Sequence, residues 1–219
     1  KHLHGDSCSL TSLDLSSNRV SGKRLRELLM HNTTLHVLDV RAQEEGLADD
    51  DDWAMIGSML LKDSHGGRLG CLSCDLFDLH EGTKDLNLSR SDLGPGGREL
   101  LCGVLSRNVG LQTLKLAGAG IDLEAAKQLA VALARNESVT ELDLSANQQH
   151  VSEEWMESVA SAVSAHAQLV RIRLDEGTLA IDQLRGASAV PTVNFANMAI
   201  GELSSHVIAA LVCDDSALE

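Results

Sequence analysis

A short leucine motif recurs along the chain and constrains its fold more than any other feature. The clearest copies are LTSLDLSSNRV (10–20), LQTLKLAGAGI (111–121) and VTELDLSAN (139–147), which share the frame L-x-x-L-x-L, with valine opening the third. A small or polar residue follows at about the ninth place. Further copies begin at Leu35, Leu69, Thr83, Leu169 and, more loosely, Val190. Such an internal repeat predicts a stacked fold in which each repeat buries its apolar face against its neighbours.

Most copies of the motif predict a short strand followed by a helix. Alternating leucines at places 4 and 6 of the motif, such as Leu114 and Leu116, are typical of a strand with one buried face. In the segment 122–136 the apolar residues then recur at helical spacing, and Asp122 stands where a helix N-cap is favoured. Ser152, followed by acidic residues, favours the start of another helix.

A strand and a helix per repeat, with the same spacing from Thr83 to Leu111 as from Leu111 to Val139, resembles one family. It is similar to the ribonuclease-inhibitor-like class of leucine-rich repeats, which also occurs in NOD-like receptors and Ran GTPase-activating proteins. The resemblance covers nearly the whole chain and implies an α/β leucine-rich-repeat solenoid. This would be a curved horseshoe with parallel strands on its concave side and helices on its convex side. We therefore expect residues 1–219 to form one array of roughly seven or eight repeats.

The spacing between motifs predicts where the array is irregular. The interval from Leu35 to Leu69 is longer than the regular repeat and leaves an insertion, so we expect an irregular segment at 41–52. The interval from Leu69 to Thr83 is much shorter than the regular repeat and leaves no room for a helix. Either the two strands meet in an irregular junction at 79–83, or one of them is not a regular repeat.

Two further expectations concern the end of the chain. The interval from Leu169 to Val190 is too short for a full helix, so IDQLRGAS (181–188) is expected to form a single turn. Residues 201–219 read as a C-terminal helix and cap, because solenoids need a polar cover over the core of their last repeat.

The Cys-x-x-C pair in LGCLSCDLFDL (69–79) admits a redox or metal interpretation. In the repeat frame, however, Cys74 occupies place 6 and points into the core, where a small thiol substitutes for leucine. Cys71 occupies place 3 and is expected to point to the opposite face of the strand. The pair is therefore interpreted as structural, and we expect neither a metal nor a cofactor.

Two other local features have competing interpretations. The run Asp49–Asp52 could contact calcium or a basic partner, but a solvated acidic N-terminus for the helix WAMIGSMLLK (53–62) is favoured by the helix dipole. The sequence GPGG (94–97) approaches a phosphate-binding loop but lacks its lysine. Its place in the repeat makes it the turn that enters a helix.

Composition excludes several classes of partner. The formal net charge is −14, with 32 acidic against 18 basic residues, and such a surface repels nucleic acid and anionic lipid. The chain has only four aromatic side chains on which bases could stack. No run of about 18 apolar residues predicts membrane insertion. The five scattered cysteines favour a reducing, intracellular compartment, most simply the cytoplasm, over a disulfide framework.

Places 3 and 5 of the motif face away from the buried leucines and would line the concave side of the array. Their charges are mixed: acidic early in the chain and again near Glu141, basic at Arg171 and Arg173. Repeat arrays use such extended surfaces to bind proteins, although these could also be ordinary exposed strand positions with binding elsewhere. The candidate partner-binding residues are Asp14, Asp39, Asp85, Asn87, Lys115, Glu141, Asp143, Arg171 and Arg173.

The sequence contains no constellation that predicts catalysis, so the expected function is non-catalytic protein–protein interaction or scaffolding. We expect an accessory subunit of a larger, multi-subunit assembly or the recognition part of a longer chain. The alternative is a regulator of a small GTPase, which the resemblance to Ran GTPase-activating proteins implies. No residue can be carried over from that family to this sequence.

Overall fold

The computed structural model describes residues 9–44, 49–62, 67–147, 151–186 and 192–213. These residues form short strands that alternate with helices, which is the α/β leucine-rich-repeat fold predicted from the motif. They group into two compact units. Unit 1 comprises Lys1–Thr83 and Leu93–Gly110, and unit 2 comprises Lys84–Asp92 and Leu111–Glu219. The expectation of one continuous array over residues 1–219 stays a prediction.

The described residues of unit 1 form a four-stranded sheet and three helices. The strands β1, β2 and β3 are parallel, and β4 pairs with β3 in the antiparallel direction. After the motif at Leu69 the chain therefore turns back in a hairpin, which explains why no helix fits before Thr83. The elements are β1 (Ser12–Asp14), α1 (Gly22–His31), β2 (Val37–Asp39), α2 (Asp50–Leu61), β3 (Cys71–Ser73), β4 (Asp78–Leu79) and α3 (Gly94–Leu105).

Unit 2 repeats this plan with a five-stranded sheet. Its first four strands are parallel, and the last strand again turns back antiparallel to its neighbour. The single turn predicted at 181–188 is confirmed over its described part, where the helix after that last strand has four residues, while 187–188 lie outside the described residues. The elements are β5 (Asp85–Asn87), β6 (Thr113–Lys115), α4 (Leu123–Leu133), β7 (Glu141–Asp143), α5 (Glu153–Ala165), β8 (Arg171–Arg173), β9 (Thr178–Ala180), α6 (Ile181–Leu184) and α7 (Glu202–Cys213).

The predicted helix starts are confirmed by their capping hydrogen bonds. The Asp122 carboxylate accepts from the backbone N–H of Ala125 at 2.9 Å, at the start of α4. The Ser152 hydroxyl oxygen accepts from the N–H of Trp155 at 3.2 Å, at the start of α5. Each bond satisfies an N–H that has no partner within its own helix, so these residues fix where the helices begin.

The acidic run forms the beginning of α2, as its interpretation as a helix N-terminus predicts. The helix begins at Asp50, three residues before Trp53, because Asp49 is the N-cap and accepts from the N–H of Asp52 at 2.9 Å. Asp50 is not simply solvated: its carboxylate accepts from the N–H of Gly96 at 2.8 Å, in the first turn of α3. The GPGG sequence is that first turn, which confirms its prediction as the entry to a helix.

Helices α2 and α3 pack with their backbones unusually close. A Cβ atom added at Gly57 would lie 2.3 Å from the backbone carbon of Glu99, and one added at Gly103 would lie 2.7 Å from the carbonyl oxygen of Gly57. At Gly96 the same atom would come within 1.8 Å of the carbonyl oxygen of Asp50. These glycines are therefore required by close approach, and the helix pair depends on them.

The polar residue at the ninth place of the motif ties neighbouring repeats together. The Asn147 amide donates to the carbonyls of Leu116, Leu144 and Ser145, and its oxygen accepts from the N–H of Ile121 at 3.0 Å. Asn147 is only 1% exposed, so these bonds satisfy backbone groups that water cannot reach. In unit 1 the side chain of Gln43 makes the equivalent bonds across to the first repeat.

The copy of the motif at Val190 does not form the strand that was predicted. Residues 192–200 contain no strand, while Val190 and Pro191 lie outside the described residues. A proline within the motif supplies no backbone N–H for a parallel ladder, which gives a physical reason for the failure.

Parts of two other expectations lie outside the described residues. The predicted irregular segment at 41–52 includes 45–48, and the predicted cap at 201–219 includes 214–219. The described part of that cap is α7, which packs against α5.

Candidate functional site

The parallel register aligns the outward side chains into two rows on each sheet. In unit 1, Asp14 pairs with Asp39 and then Ser73. In unit 2 the row at place 5 runs Asn87, Lys115, Asp143 and Arg173, and the row at place 3 runs Asp85, Thr113, Glu141 and Arg171. Neighbouring strands lie about 4.8 Å apart, so side chains in one row are within reach of their neighbours. The structure thus brings the nine predicted residues together in two groups, two in unit 1 and seven in unit 2.

The acidic residues at place 5 form a local turn as the chain leaves each strand. The carboxylate of Asp14 accepts from the N–H of Ser16 at 2.8 Å, and that of Asp143 accepts from the N–H of Ser145 at 2.9 Å. Asn87 and Asp39 make the same bond to the residue two places on. The residue three places after place 5 is left-handed in six copies: Ser17, Ala42, Arg90, Gly118, Ala146 and Asn197. These side chains therefore have a structural role besides any contact with a partner.

In unit 1 an arginine that the motif did not indicate binds the acidic side chains on the sheet. The Arg41 guanidinium donates to both carboxylate oxygens of Asp39, with Nη2 at 2.5 Å from Oδ2, and to Asp78 Oδ2 at 2.9 Å. Ser73 donates its hydroxyl to the other oxygen of Asp78 at 2.5 Å. The Arg41 guanidinium holds the pKa of Asp39 below its usual range. Hydrogen bonding by Ser16 lowers the pKa of Asp14 in the same way.

Arg41 and Asp78 were missed because neither occupies place 3 or 5 of a motif. Arg41 follows its strand by two residues, and Asp78 comes from the antiparallel strand β4. The spacing of two between Asp39 and Arg41 was the one available signal in the sequence, because residues two apart near a strand end share a side.

The cysteine pair lies on β3 and just after it, and the prediction for Cys71 was wrong in one respect. Cys71 was expected in the exposed outward row of the strand, but it is buried, at 4% exposure, as is Cys74. Asn108 covers it, because its side-chain amide donates to the carbonyl of Gly70 at 2.6 Å and lies 3.9 Å from the Cys71 sulfur. Burial raises the pKa of Cys74 to about 11 and raises that of Cys71. Such thiols stay protonated at neutral pH, which is the opposite of a nucleophilic or metal-binding thiolate.

In the described part of unit 2, one ion pair forms within the rows, and two cations of the rows have no partner. The Arg171 guanidinium donates to Glu141 Oε1 at 2.5 Å across the β7–β8 pair. Asp143 Oδ1 also accepts from the Ser145 hydroxyl at 2.6 Å. Lys115 and Arg173 are exposed, and neither side chain has a hydrogen bond or ion pair within the part of the chain that the structure describes.

These side chains surround a shallow depression of about 120 Å³ on the sheet of unit 2. Its walls are place-3 and place-5 residues of three parallel strands together with Thr178 of the antiparallel strand β9. The residues that line it are Thr113, Lys115, Glu141, Leu142, Asp143, Arg171, Ile172, Arg173 and Thr178. Its size fits the end of one side chain, and it is smaller than the pockets that bind whole small molecules.

Unit 1 has a larger groove that the sequence did not indicate. It encloses about 600 Å³ at the ends where the chain enters the strands. Its lining comes from segments far apart in sequence, so no local pattern could have revealed it. The residues that line it are Thr11, Ser12, Thr34, His36, Val37, Gly67, Arg68, Glu81 and Arg107.

A metal centre and a membrane span are both absent from the described residues. Within the described ranges, no three His, Cys, Asp or Glu side chains come together in a way that could hold a metal ion. None of the helices in the described part of the chain combines the length and apolar character that a bilayer span requires.

Comparison with known proteins places the motif in a known class. The family model described as Leucine Rich repeat matches residues 6–23, around the first copy of the motif. The tropomodulin C-terminal domain of Caenorhabditis elegans is similar at 14% identity and a TM-score of 0.35, over 95% of this chain and 86% of that one.

Two further solved structures are similar at comparable levels. Leiomodin-1 actin-binding site 2 has 13% identity and a TM-score of 0.28, over 75% of this chain and 69% of that one. The leucine-rich-repeat-containing protein LegL7 of Legionella pneumophila has 14% identity and a TM-score of 0.33, over 94% of this chain and 55% of that one.

Proposed function

We propose, from the premise that this chain is a leucine-rich-repeat protein of the ribonuclease-inhibitor-like type, that it recognises another protein through the outward face of its strands and has no catalytic activity of its own. The observation that carries the proposal is the parallel register, which arranges outward side chains of both signs in straight rows. The recognition surface consists of the nine residues predicted from the motif, with Arg41 and Asp78 added in unit 1.

A row of this kind suits a protein partner for a physical reason. Its side chains stand on hydrogen-bonded strands and several are held by turns or ion pairs, so little conformational entropy is lost when a partner binds. Charges of both signs in fixed places select a partner by complementary potential and exclude partners with the wrong pattern.

The finer proposal is that the chain serves as an accessory subunit of a larger assembly or as the recognition part of a longer protein. A preorganised surface suits a lasting contact. We also infer a reducing, intracellular compartment. The three cysteines whose thiols are described, Cys71, Cys74 and Cys102, are free and buried, which supports this inference.

The proposal is tested by cross-linking mass spectrometry in a native extract with two matched variants. Asp85 on β5 and Glu124 on α4 are both exposed acids, one on the proposed surface and one on a helix. We expect a recurrent partner cross-linked through Lys84 and Lys115. Asp85→Trp should weaken its capture by at least about tenfold, and Glu124→Trp should leave it unchanged.

Two outcomes would contradict the proposal. The wild-type protein could run alone without a recurrent cross-linked partner, or both variants could lose the partner equally. A GTPase assay with the captured partner, with and without this protein, checks the regulatory alternative. We expect the hydrolysis rate to be unchanged.

A further inference from the structure

We propose that the depression on the sheet of unit 2 binds a carboxylate side chain of the partner, and that Lys115 and Arg173 are the groups that recognise it. The partner would present an acidic segment, with Asp or Glu in an exposed and extended stretch. This inference rests on the proposed function, because it names the partner chemistry of the same surface.

The register sets the spacing of the two cations. Lys115 on β6 and Arg173 on β8 occupy the same row, with Asp143 of β7 between them. Two strand spacings separate their backbones, roughly 10 Å. Both side chains are long enough to reach a group held above β7, and both line the same depression. One carboxylate can therefore accept from both.

The charges around the depression leave these two cations available. Its lining has three cations and two anions, an excess of one positive charge in a chain whose net charge is −14. Arg171 is already paired with Glu141. Asp143 lies between the open cations, but its Oδ1 accepts from both the N–H and the hydroxyl of Ser145.

An acidic protein segment fits this site better than a nucleic acid does. A nucleic acid is held by several phosphate contacts, each of which needs a cation, and the chain as a whole repels a polyanion. A single carboxylate meets two donors and avoids that wider repulsion. An ammonium group would face Lys115 and Arg173 at close range and is disfavoured.

The corresponding place in unit 1 shows why the site is specific to unit 2. Both sheets end in an antiparallel hairpin, and its register pairs Ser73 with Asp78 in unit 1 and Arg173 with Thr178 in unit 2. In unit 1 the hairpin supplies a carboxylate, which binds Arg41. In unit 2 the same place supplies a neutral threonine, so the cation beside it gains no carboxylate from the hairpin.

The test is an NMR titration of the whole protein with two blocked probe peptides. One probe alternates serine with glutamate, and the other alternates serine with glutamine. We expect the glutamate peptide to shift the backbone amide signals of 113–115, 141–143 and 171–173, less so as salt is added. The glutamine peptide should leave them unchanged.

A pair of double variants assigns the effect to the two cations. Lys115→Gln with Arg173→Gln should weaken binding of the glutamate peptide by about fivefold to tenfold, as expected for the loss of two exposed ion pairs. Lys23→Gln with Lys127→Gln removes the same net charge from exposed helix positions and should leave binding unchanged.

Three results would overturn the inference. The glutamine peptide could shift the same signals equally, or the two double variants could behave alike. Alternatively, inorganic phosphate or a short single-stranded oligonucleotide could bind the same amides more tightly than the glutamate peptide.

The inference and the proposed function can be tested separately. If the cross-linked partner is captured but keeps its affinity for the Lys115→Gln and Arg173→Gln double variant, the inference fails and the function stands. If the glutamate peptide binds and no partner is found in the extract, the proposed function fails and the assignment of the two cations as a carboxylate site stands.

Discussion

The two units use the same repeat, yet their outward faces differ in how far the charges satisfy one another. In unit 1, Asp39, Arg41 and Asp78 form a closed network, and Ser73 donates into it. Among the described residues of unit 2, Glu141 and Arg171 form an ion pair, while Lys115 and Arg173 have no such partner. The hairpin and the turn beside each strand therefore decide which charges of the row already have a partner within the sheet and which do not.

The helices differ as well. In unit 1, α2 and α3 approach until glycine is required at Gly57 and Gly103. In unit 2, α4 and α5 contain no glycine and bury alanine, leucine, valine and Trp155. Unit 1 therefore depends on close backbone contact, and unit 2 on side-chain packing.

The largest expected effect comes from breaking that backbone contact. Gly57→Ala would place a methyl group 2.3 Å from backbone atoms that cannot move independently, so we expect a loss of about 3 kcal/mol in the free energy of unfolding. The usual gain from replacing a helix glycine by alanine would be reversed. Urea denaturation measures the loss, and hydrogen exchange should show faster opening of α2 and α3.

Gly67→Ala is the matched control for this substitution. A Cβ atom there has Leu60 Cδ2 as its nearest neighbour, at 3.8 Å, which is an ordinary contact. Its free energy of unfolding should stay within about 0.5 kcal/mol of the wild type. Equal losses in the two variants would refute the close-contact explanation.

The next effect concerns the polar residue at the ninth place. Asn147→Ala would leave buried backbone groups of Leu116, Leu144 and Ile121 without their partner, so we expect a loss of about 2 to 3 kcal/mol. Asn18 has the same place in the first repeat but is exposed. Asn18→Ala should cost less than about 0.5 kcal/mol, because water can replace its bonds. Thermal unfolding of both variants checks the difference, and similar losses would contradict it.

A smaller effect is expected from a substitution that gives the hairpin of unit 2 the carboxylate found in that of unit 1. Thr178→Asp would place a carboxylate opposite Arg173, as Asp78 stands opposite Ser73 and near Arg41. We expect stability to change by less than about 0.5 kcal/mol, while binding of the glutamate peptide falls about fivefold. Thr178→Ser keeps the residue neutral and should bind as the wild type does. Undiminished binding by Thr178→Asp would argue against Arg173 as a recognition group.

The smallest effect is a change with pH in unit 1. The Arg41 guanidinium lowers the pKa of Asp39 in the folded protein, so this carboxylate stabilises the fold above the ordinary carboxyl pKa. That contribution is lost as the pH falls through the lowered value. Arg41→Gln should raise the pKa of Asp39 and move acid unfolding to higher pH. A carbon-13 titration of the carboxyl signals measures it.

Arg24→Gln provides the control for the titration. Arg24 is an exposed arginine of unit 1 that pairs with Glu27, so its loss should leave the pKa of Asp39 unchanged. An equal shift of that pKa in both variants would mean that net charge, and not the bond from Arg41, is responsible.

The repeat frame predicted the strands well because it rests on a short local periodicity. Every copy from Leu10 to Leu169 has its strand at places 3 to 5, in register with its neighbours within each sheet. Helix starts at Asp122 and Ser152 were predictable for the same reason, since a cap bonds to residues only three places away.

The candidate site could be predicted only in part. The rows were predictable, since alternation along a strand decides which side chains face outward. The partners of those side chains were not. Arg41 binds the carboxylate of Asp78, which belongs to a different strand far along the chain, and Cys71 is buried by Asn108, which follows an entire helix.

The sequence by itself therefore determined the repeat, the strand register, the capped helix starts and the identity of the outward rows. Each depends on contacts between near neighbours or on a constant spacing. Only the tertiary structure decided the antiparallel hairpins, the glycine contact between α2 and α3, and which outward charges stay open. These depend on groups distant in the chain, and the geometry that brings such groups together is not contained in any local pattern.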